Sequence, residues 1–393
     1  MEDAVFTLNC GSSSIKFAVF EKVAPPRRIA HGWIEGIGIA PHFQAFDASG
    51  TLVAEKRWQT GAQERFFPWL LHWLDAHLGG QRLVAAGHRI VHGGDQFVAS
   101  HRLTDAVLDE LKALERLAPL HQPHNLAAVE AVSQLRPELP QFGCFDTAFH
   151  HTLEPTVRRF GIPRELERMG IRRYGFHGLS YEFVAGRLKE LAPQHANGRI
   201  LIAHLGNGAS LCALQGGISV DTSMGFSTLD GLVMGTRCGA IDPGIIFYLL
   251  RQGMDASTLE NTLYTRSGLL GVSGISSDMR VLLASTDPRA KEAIDLFVFR
   301  VAREATALAM TMGGLDGLVF TAGIGENSAE IRRRICERLS WMGLSLDADA
   351  NAKGRVAIHT PSSAIKAWVI PTDEETVIAR HVFSLLGLTQ INS

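Results

Sequence analysis

The sequence predicts an α/β protein built from two related domains, on the strength of three observations. Two hairpins of one type, an apolar strand, a Gly/Ser/Asn turn and a second apolar strand, occur at residues 5–20 and 199–214. From Gly317 onward, signals for a strand, a glycine turn and a helix follow one another. No long linker divides the 393 residues, which suffice for two or three domains with sizeable cores. The repeated hairpin therefore predicts a duplicated domain with a nucleotide between the halves, with coincidence between two hairpins as the alternative.

The composition excludes several classes of function. Hydrophobic residues make up 46% and charged residues 20% of the chain, as in ordinary globular proteins, and the formal charge of -2 gives no footprint for nucleic acid or an anionic membrane. Five scattered cysteines without a C-x-x-C pair argue against a disulfide framework and favour a reducing compartment. The acidic start runs directly into a predicted strand, and no apolar run of ~18 residues occurs. We therefore expect a cytoplasmic protein without a signal peptide or membrane helix.

The first hairpin carries the groups that hold a polyphosphate and its metal. Its turn, N-C-G-S-S-S-I-K at Asn9–Lys16, offers backbone N–H groups, hydroxyls and the charge of Lys16 at one point. It is not a Walker loop, because Lys16 is followed by Phe17 and by a second strand rather than by Ser/Thr and a helix. An ordinary serine-rich hairpin is the alternative.

Helices are predicted between the strands. Thr104 precedes a one-faced leucine stripe, Leu108 to Leu117, that stops near Pro119. Residues 291–312 are helical by composition and end at two glycines.

The segment after this helix predicts a nucleotide loop. Residues 317–321 are typical of a strand and residues 322–326 of a glycine turn, and we expect Asn327 to cap the helix that follows, with Glu330 three positions on. A nucleotide could lie against that loop and the start of the helix.

An arginine in a strand is the first candidate for substrate binding. In H-R-I-V-H-G-G at residues 88–94, a period of two places Arg89 and Val91 on one face. A cation beside an aliphatic side chain is what a small carboxylate with an alkyl tail needs, although a structural ion pair is the alternative. A zinc site at His88 and His92 would need the i, i+4 geometry of a helix, which a strand does not provide.

Two further motifs place an acid and a histidine in positions suited to phosphoryl chemistry. Asp146, at the end of a predicted strand, can organise a magnesium hydration shell, and His177, flanked by glycines, can donate to a developing oxyanion. The pairs His150-His151 and His121-x-x-His124 invite a metal site but offer no third ligand, so we interpret them as surface or hydrogen-bonded histidines.

The last two candidates lie in the C-terminal half. Residues 221–244 are rich in glycine and small polar residues around Arg237, as functional loops commonly are. In P-T-D-E-E at residues 371–375, Asp373 and Glu374 stand where a strand turns into a helix. Helix capping explains such carboxylates; the functional interpretation is that Glu374 is a magnesium ligand brought back toward Asn9.

Eight motifs in order along the whole chain resemble the acetate kinase family, part of the superfamily of sugar kinases, actin and heat-shock ATPases. They are N-C-G-S-S-S-I-K at 9–16, H-R-I-V-H-G-G at 88–94, F-D-T-A-F-H at 145–150, G-F-H-G at 175–178, H-L-G-N-G-A-S at 204–210, G-T-R-C-G at 235–239, G-I-G-E-N at 323–327 and P-T-D-E-E at 371–375. The resemblance implies two ribonuclease-H-like domains, 1–146 completed by about 374–393, and 147–373, with a nucleotide cleft between them. It also implies a homodimer, ATP as co-substrate, and Mg²⁺ (Mn²⁺ as a substitute) in reversible phosphoryl transfer to acetate.

The resemblance further implies a role for each matched residue. Asn9 and Glu374 would bind magnesium, and Asp146 would be a catalytic acid that helps to organise it. Arg89 would bind the carboxylate, and His177 and Arg237 would stabilise the transferring phosphoryl group. The methyl pocket would be lined by Val91, Leu120 and Thr228. The phosphates and Asn9 would be supported by Ser12, Ser14 and Lys16. The nucleotide would be held by His204, Leu205, Gly206, Asn207, Gly208, Asp278, Met279, Arg280, Gly323, Ile324, Gly325, Glu326 and Asn327.

Two rival functions and three departures accompany this resemblance. A propionate or butyrate kinase would use the same chemistry with a longer pocket, and an ATP-driven module of the chaperone or filament type would share the paired hairpins without needing Arg89 and Arg237. The family pattern commonly has Asp after Gly239, Asn at position 373 and Pro at position 228, where this chain has Ala240, Asp373 and Thr228. We expect Ala240 to cost a polar contact near Arg237 and Thr228 to soften the pocket wall.

Overall fold

The computed structural model describes residues 2–11, 14–59, 65–77 and 80–387; Ser12 lies outside them. The chain forms two compact units, Met1–Phe149 with Asp373–Ser393, and His150–Thr372. Each unit holds one sheet and several helices, so the predicted α/β class is confirmed. Within the described ranges, no helix combines the length and the apolar character needed to cross a bilayer.

The first unit contains an eight-stranded sheet in the order β5-β4-β3-β2-β1-β6-β8-β7. In chain order its strands are β1 Asp3–Cys10, β2 Ser14–Glu21, β3 Arg27–Glu35, β4 His42–Asp47, β5 Leu52–Arg57, β6 Arg82–Ile90, β7 His101–Arg102 and β8 Gln141–Phe145. The β1–β2 pair is the antiparallel hairpin predicted from the sequence, and β6 runs parallel to both β1 and β8.

Helices cover this sheet. Numbered along the whole chain, they are α1 Phe66–His77, α2 Asp105–Ala113, α3 Gln122–Leu135 and α16 Glu374–Leu385, with a one-turn 3₁₀ helix at Glu115–Leu117. Thr104, which precedes the predicted leucine stripe, caps α2 by accepting from the N–H of Val107. The final helix packs closely on β6, because a Cβ at Gly87 would lie only 2.5 Å from Cγ2 of Ile378. The C-terminal segment is therefore part of the core of the first unit.

The second unit contains a five-stranded sheet in the order β11-β10-β9-β12-β13. Its strands are β9 Arg199–Leu205, β10 Ala209–Gln215, β11 Ile218–Thr222, β12 Gly317–Thr321 and β13 Lys366–Val369. Its longer helices are α6 Gly178–Leu191, α8 Pro243–Arg251, α9 Ala256–Thr265, α12 Pro288–Thr311 and α14 Ala329–Arg338. Its short helices are α4 Pro155–Arg158, α5 Arg164–Arg168, α7 Pro193–Ala196, α10 Gly268–Ser273, α11 Met279–Ala284, α13 Ala322–Asn327 and α15 Ala348–Ala352, with a 3₁₀ turn at Ser340–Met342. A further 3₁₀ turn, Ala148–His150, begins in the first unit and ends at the first residue of the second.

The two sheets share one topology. In each, a strand of the hairpin lies at the centre, pairs antiparallel with its hairpin partner, and pairs parallel with a later strand that is itself parallel to another. The series β3-β2-β1-β6-β8 thus corresponds to β11-β10-β9-β12-β13. This correspondence confirms the predicted duplication.

Local detail differs from the sequence prediction at the glycine loop. Residues 322–327 form the short helix α13 rather than a turn. The helix after it, α14, is capped by Ser328, whose hydroxyl accepts from the N–H of Ile331, and not by Asn327. The predicted cap was therefore wrong by one residue, because Asn327 is already helical and its side chain donates back to the carbonyl of Gly323.

Candidate active site

In the first unit, Arg89 is surrounded by oxygen atoms. It extends from the end of β6 and donates from Nε to Oδ1 of Asp146 at 3.0 Å and from Nη2 to Oδ2 at 2.5 Å. Its Nη1 donates to Oδ1 of Asn9 at 3.0 Å, and its Nε lies 3.7 Å from Oε2 of Glu374. Burial opposes the charge, but the carboxylates of Asp146 and Glu374 outweigh it and raise the pKa of Arg89. The guanidinium is therefore held rigidly as a permanent cation.

Asn9 and Glu374 meet at the same point. The amide nitrogen of Asn9 donates to Oε2 of Glu374 at 2.9 Å, although the two residues lie at opposite ends of the chain. Glu374 opens α16, whose cap is the side chain of Asp373 accepting from the N–H of Thr376. Capping thus explains Asp373, while the carboxylate of Glu374 faces Asn9 and Arg89.

The oxygen atoms of this cluster fit a hard divalent cation. One amide oxygen (Asn9) and two carboxylates (Asp146 and Glu374) share Arg89 as a partner, and such oxygens are the ligands that Mg²⁺ takes. Nowhere in the described chain do three His, Cys, Asp or Glu side chains form a metal cluster.

The hairpin and the turn after β6 are tied together by a residue that sequence reasoning missed. Asn125, on α3, donates to the carbonyl of Cys10 at 2.6 Å and accepts from the N–H of Val91 at 2.9 Å. Val91 is buried, whereas Leu120 is 38% exposed. Lys16 stands opposite Asn9 across the β1–β2 ladder, and Ser14 begins β2. The polar pair Asn125 and Gln122 within an apolar helix was the signal available in the sequence.

In the second unit, a cavity of about 590 Å³ gathers most of the residues predicted to bind the nucleotide. Its lining contains Gly206, Asn207, Asp278, Met279, Arg280, Gly323, Ile324 and Asn327 from the predicted set, and adds Ser277, Leu283 and Ser328. Asp278 caps α11. The guanidinium of Arg280 donates to the carboxylate of Asp278, and this hydrogen bond lowers the pKa of Asp278.

Other predicted residues support this cavity without lining it. The carboxylate of Glu326 binds main-chain N–H groups. Its Oε1 accepts from the N–H of Ala322 at 2.7 Å and from the N–H of Thr372 at 3.1 Å. Ala322 has a left-handed backbone (φ 63), which a residue other than glycine adopts only when its surroundings hold it there. The carboxylate of Glu326 is one such restraint. His204 and Leu205 end β9, and Gly325 is buried in α13.

A buried arginine that the sequence analysis did not identify binds the main chain of α13. Arg332 on α14 is 2% exposed and donates to the carbonyls of Gly325 at 2.9 Å and Glu326 at 2.8 Å. It also donates to the side chain and the carbonyl of Asn351. Because burial outweighs every other influence, the pKa of Arg332 is lowered. Its neighbours Arg333 and Arg334 form surface ion pairs, so nothing in the sequence distinguished Arg332.

His177 and Arg237 converge on Gly208. A Cβ built at Gly208 would lie 3.4 Å from Nε2 of His177 and 3.9 Å from Nη1 of Arg237. Arg237 also donates from Nη1 to the carbonyl of Thr228 at 3.2 Å. Glycine at position 208 therefore leaves open the space that a methyl group would occupy beside both side chains. The hairpin turn beneath them is fixed by a hydrogen bond from the N–H of Gly235 to the carbonyl of Asn207 at 2.9 Å.

Comparison with known proteins places these features in a family. The sequence profile of the Acetokinase family matches residues 4–380. The chain is 52% identical over 393 residues to an acetate kinase of Rhodopseudomonas palustris, with 98% of this chain and 99% of that protein covered. It is 44% identical over 400 residues to an acetate kinase of Methylocella silvestris, with 98% of each covered.

Two solved structures share the fold over nearly the full length. The acetate kinase of Porphyromonas gingivalis matches with a TM-score of 0.87 at 35% identity, covering 98% of this chain and 100% of that one. A propionate kinase of Francisella tularensis matches with a TM-score of 0.90 at 38% identity, covering 96% and 98%. The identities over nearly the full length, together with the match of the family profile, show that the chain belongs to the acetokinase family.

Proposed function

We propose that this protein transfers the γ-phosphoryl group of ATP to acetate, reversibly, giving acetyl phosphate and ADP, with Mg²⁺ as its metal. The observation that carries the proposal is the fixed cation Arg89 among Asn9, Asp146 and Glu374, in a chain 52% identical to an acetate kinase. The chemistry that this cluster can support is anion binding beside oxygen ligands for a metal.

The reaction needs charge compensation more than a base. A carboxylate with a pKa of about 4–5 is already ionised at neutral pH, so its oxygen is ready to attack phosphorus. The barrier lies in bringing that anion to a triphosphate and in stabilising charge on the equatorial oxygens. Arg89 would hold the acetate carboxylate, while His177 and Arg237 would donate to the transferring phosphoryl group.

Oxygen ligands for Mg²⁺ would come from Asn9 and Glu374, with Asp146 helping to organise the hydration shell. Mn²⁺ would fit the same donors. When bound, the metal would neutralise phosphate charge. Lys16 and Ser14 lie on the strand paired with that of Asn9, and with Ser12 they would support the phosphates.

The nucleotide would occupy the cavity bounded by Asn207, Asp278–Arg280 and Gly323–Asn327. Glycines and small residues let the ligand approach the backbone of the β9–β10 turn and of α13. Glu326, Gly325, His204, Leu205 and Gly208 would act by shaping that backbone.

Acetate is the substrate we propose, with propionate as a secondary one. Val91, Leu120 and Thr228 are the proposed lining of the methyl pocket, in which one methylene is worth about 1–3 kcal/mol of discrimination. The similar protein of Francisella tularensis is a propionate kinase, at 38% identity, but the acetate kinases of Rhodopseudomonas palustris and Methylocella silvestris are more nearly identical to this chain, at 52% and 44%.

A homodimer is supported by the exposed apolar surface of α8. Ile245, Phe247 and Tyr248 of this helix are 45%, 56% and 59% exposed, and every residue of the helix is at least partly accessible. Contiguous apolar surface of this kind marks an interaction site. The five cysteines are all free, which supports a reducing, cytoplasmic location.

A hydroxylamine trap tests the proposed function. The protein is incubated with ATP, Mg²⁺, acetate and hydroxylamine, and acetohydroxamate is measured, because hydroxylamine reacts with an acyl phosphate as it forms. We expect hydroxamate that depends on ATP and acetate together. ATP hydrolysis without hydroxamate would instead indicate a chaperone-like or filament-like ATPase and would overturn the proposal.

A further inference from the structure

Two buried hydroxyl groups stand in line behind His177. The phenol oxygen of Tyr181 lies 2.5 Å from Oγ of Ser210, and that Oγ lies 2.8 Å from Nδ1 of His177. Tyr181 and Ser210 are both fully buried. Tyr181 belongs to α6, the helix that follows directly after His177, while Ser210 belongs to β10. The two hydrogen bonds therefore connect α6, the β9–β10 hairpin and the imidazole of His177.

The acidities of the three groups set the direction of the hydrogen bonds. A phenol, with a pKa near 10, is a better donor than an aliphatic hydroxyl. Tyr181 therefore donates to Ser210, whose single hydrogen is left for Nδ1 of His177. An imidazole that accepts at Nδ1 and is neutral carries its proton on Nε2. Nε2 is the ring nitrogen near Gly208: it lies 3.4 Å from the place that a Cβ of residue 208 would take, and Nη1 of Arg237 lies 3.9 Å from the same place.

We propose that Tyr181 and Ser210 are positioning residues that hold His177 as its neutral Nε2–H tautomer, with the N–H directed at the transferring phosphoryl group. This inference rests on the role of His177 in the proposed function. In the other tautomer, Nε2 would present a lone pair to an anion and would repel it. In water a neutral imidazole exists as both tautomers. The two hydroxyl groups would hold the ring of His177 in the one tautomer that donates from Nε2.

The rest of the surroundings restrain the same ring. His177 has a left-handed backbone (φ 60), and the carbonyl of Phe176 before it accepts from Nε2 of His150 at 3.0 Å. The ring of His204 stacks on that of His177 at 4.2 Å, with 15° between the planes. Two imidazolium ions stacked in this way would repel each other, so the stack disfavours charge on both rings at once. His204 in turn has its Nδ1 2.8 Å from Oγ of Ser180.

Nitrogen NMR reads the tautomer without reference to activity. In protein labelled with ¹⁵N-histidine, two-bond ¹H–¹⁵N correlations distinguish the Nδ1–H, Nε2–H and imidazolium forms, and His177→Gln identifies the signal. We expect Nε2–H in the wild type at neutral pH. In Ser210→Ala we expect a mixture of tautomers, and in Tyr181→Phe a smaller change, because Ser210 still donates there. An Nδ1–H or imidazolium form in the wild type would overturn the proposal.

Steady-state kinetics tests the consequence. We expect Ser210→Ala to lower kcat by about tenfold or more, with KM for ATP and acetate changed by no more than about twofold. Ser363→Ala is the matched control, because Ser363 is also a buried serine of the same unit, and its hydroxyl donates to the carbonyl of Ile365 rather than to His177. A folded Ser210→Ala protein with wild-type kcat and an unchanged tautomer would overturn the proposal.

The two proposals fail separately. If His177→Ala abolishes hydroxamate formation while the Ser210 and Tyr181 variants leave the tautomer and kcat unchanged, the function stands and the positioning role is overturned. If the tautomer of His177 responds to the substitutions as expected while wild-type protein forms no hydroxamate, the positioning role of Tyr181 and Ser210 is supported and the proposed reaction is overturned.

Discussion

The guanidinium of Arg237 donates to the main-chain carbonyl of Thr228 at 3.2 Å. Thr228 is buried, and it occupies a position where the acetate kinase pattern commonly has proline. The residue proposed as a wall of the methyl pocket therefore also restrains the cation proposed to act on the phosphoryl group. A change at this position can affect substrate choice, Arg237 or both, and the two effects are separable by experiment.

Thr228→Pro should increase the preference for acetate over propionate. Proline keeps the carbonyl that binds Arg237 but fixes φ and removes the hydroxyl, which makes the pocket wall stiffer. Comparing kcat/KM for acetate, propionate and butyrate in wild type and variant gives the result. An unchanged acetate-to-propionate ratio would mean that Thr228 does not set the pocket.

Arg89→Ala and Arg237→Ala should each lower kcat/KM by roughly 10²-fold or more, because each removes a charge-assisted contact to a reacting anion. Arg159→Ala is the control, since Arg159 forms an ion pair with Glu167 on the surface of the second unit. Near-normal turnover by either folded variant would refute the role assigned to that arginine.

His177→Ala should reduce kcat by about 10²-fold while KM for acetate changes little, because the proposed contact strengthens in the transition state. The measurement is a full Michaelis analysis in the direction of acetyl phosphate formation. A change confined to KM for acetate would contradict the assignment.

Arg332→Met should raise KM for ATP by about tenfold and lower the free energy of unfolding by about 2–4 kcal/mol. The substitution leaves the carbonyls of Gly325, Glu326 and Asn351 without their buried donor. Denaturant unfolding and ATP titration measure the two effects. Arg333→Met, at an exposed neighbour, is the control; equal effects in both variants would argue against a specific role for Arg332.

Stability should fall as the pH falls from 6.5 toward 4. Burial is the main cause that lowers the pKa of His88, His92 and His150 from 6.5 to about 4. Between pH 6.5 and 4 the unfolded chain binds protons at these histidines and the folded protein does not, so acidification favours unfolding. Above pH 6.5 these histidines add no pH dependence to the stability.

Thermal unfolding across this interval checks the expectation. His88→Gln should flatten the slope of Tm against pH, because a glutamine in place of His88 cannot titrate. His101→Gln, at an exposed site, should leave the slope unchanged. A wild-type Tm that does not change between pH 6.5 and 4 would contradict the prediction.

Local patterns were sufficient to predict several elements. The strands of both hairpins follow from apolar runs interrupted by small polar turns, and the helix after Thr104 follows from its amphipathic stripe. The N-terminus of α14 was displaced by one residue, because Asn327 and Ser328 are both good caps and only the presence of α13 decides between them.

The sequence by itself determined the α/β class, the duplication and the residue types that suit phosphoryl transfer, because these depend on periodicity, turns and short motifs. Only the tertiary structure decided that Arg332 meets the backbone of Gly325 and Glu326 and that Ser210 meets His177. Such contacts depend on how strands and helices pack, and a buried arginine or serine has the same letter as an exposed one. Packing alone gives each its partner and removes the water that would otherwise compete for it.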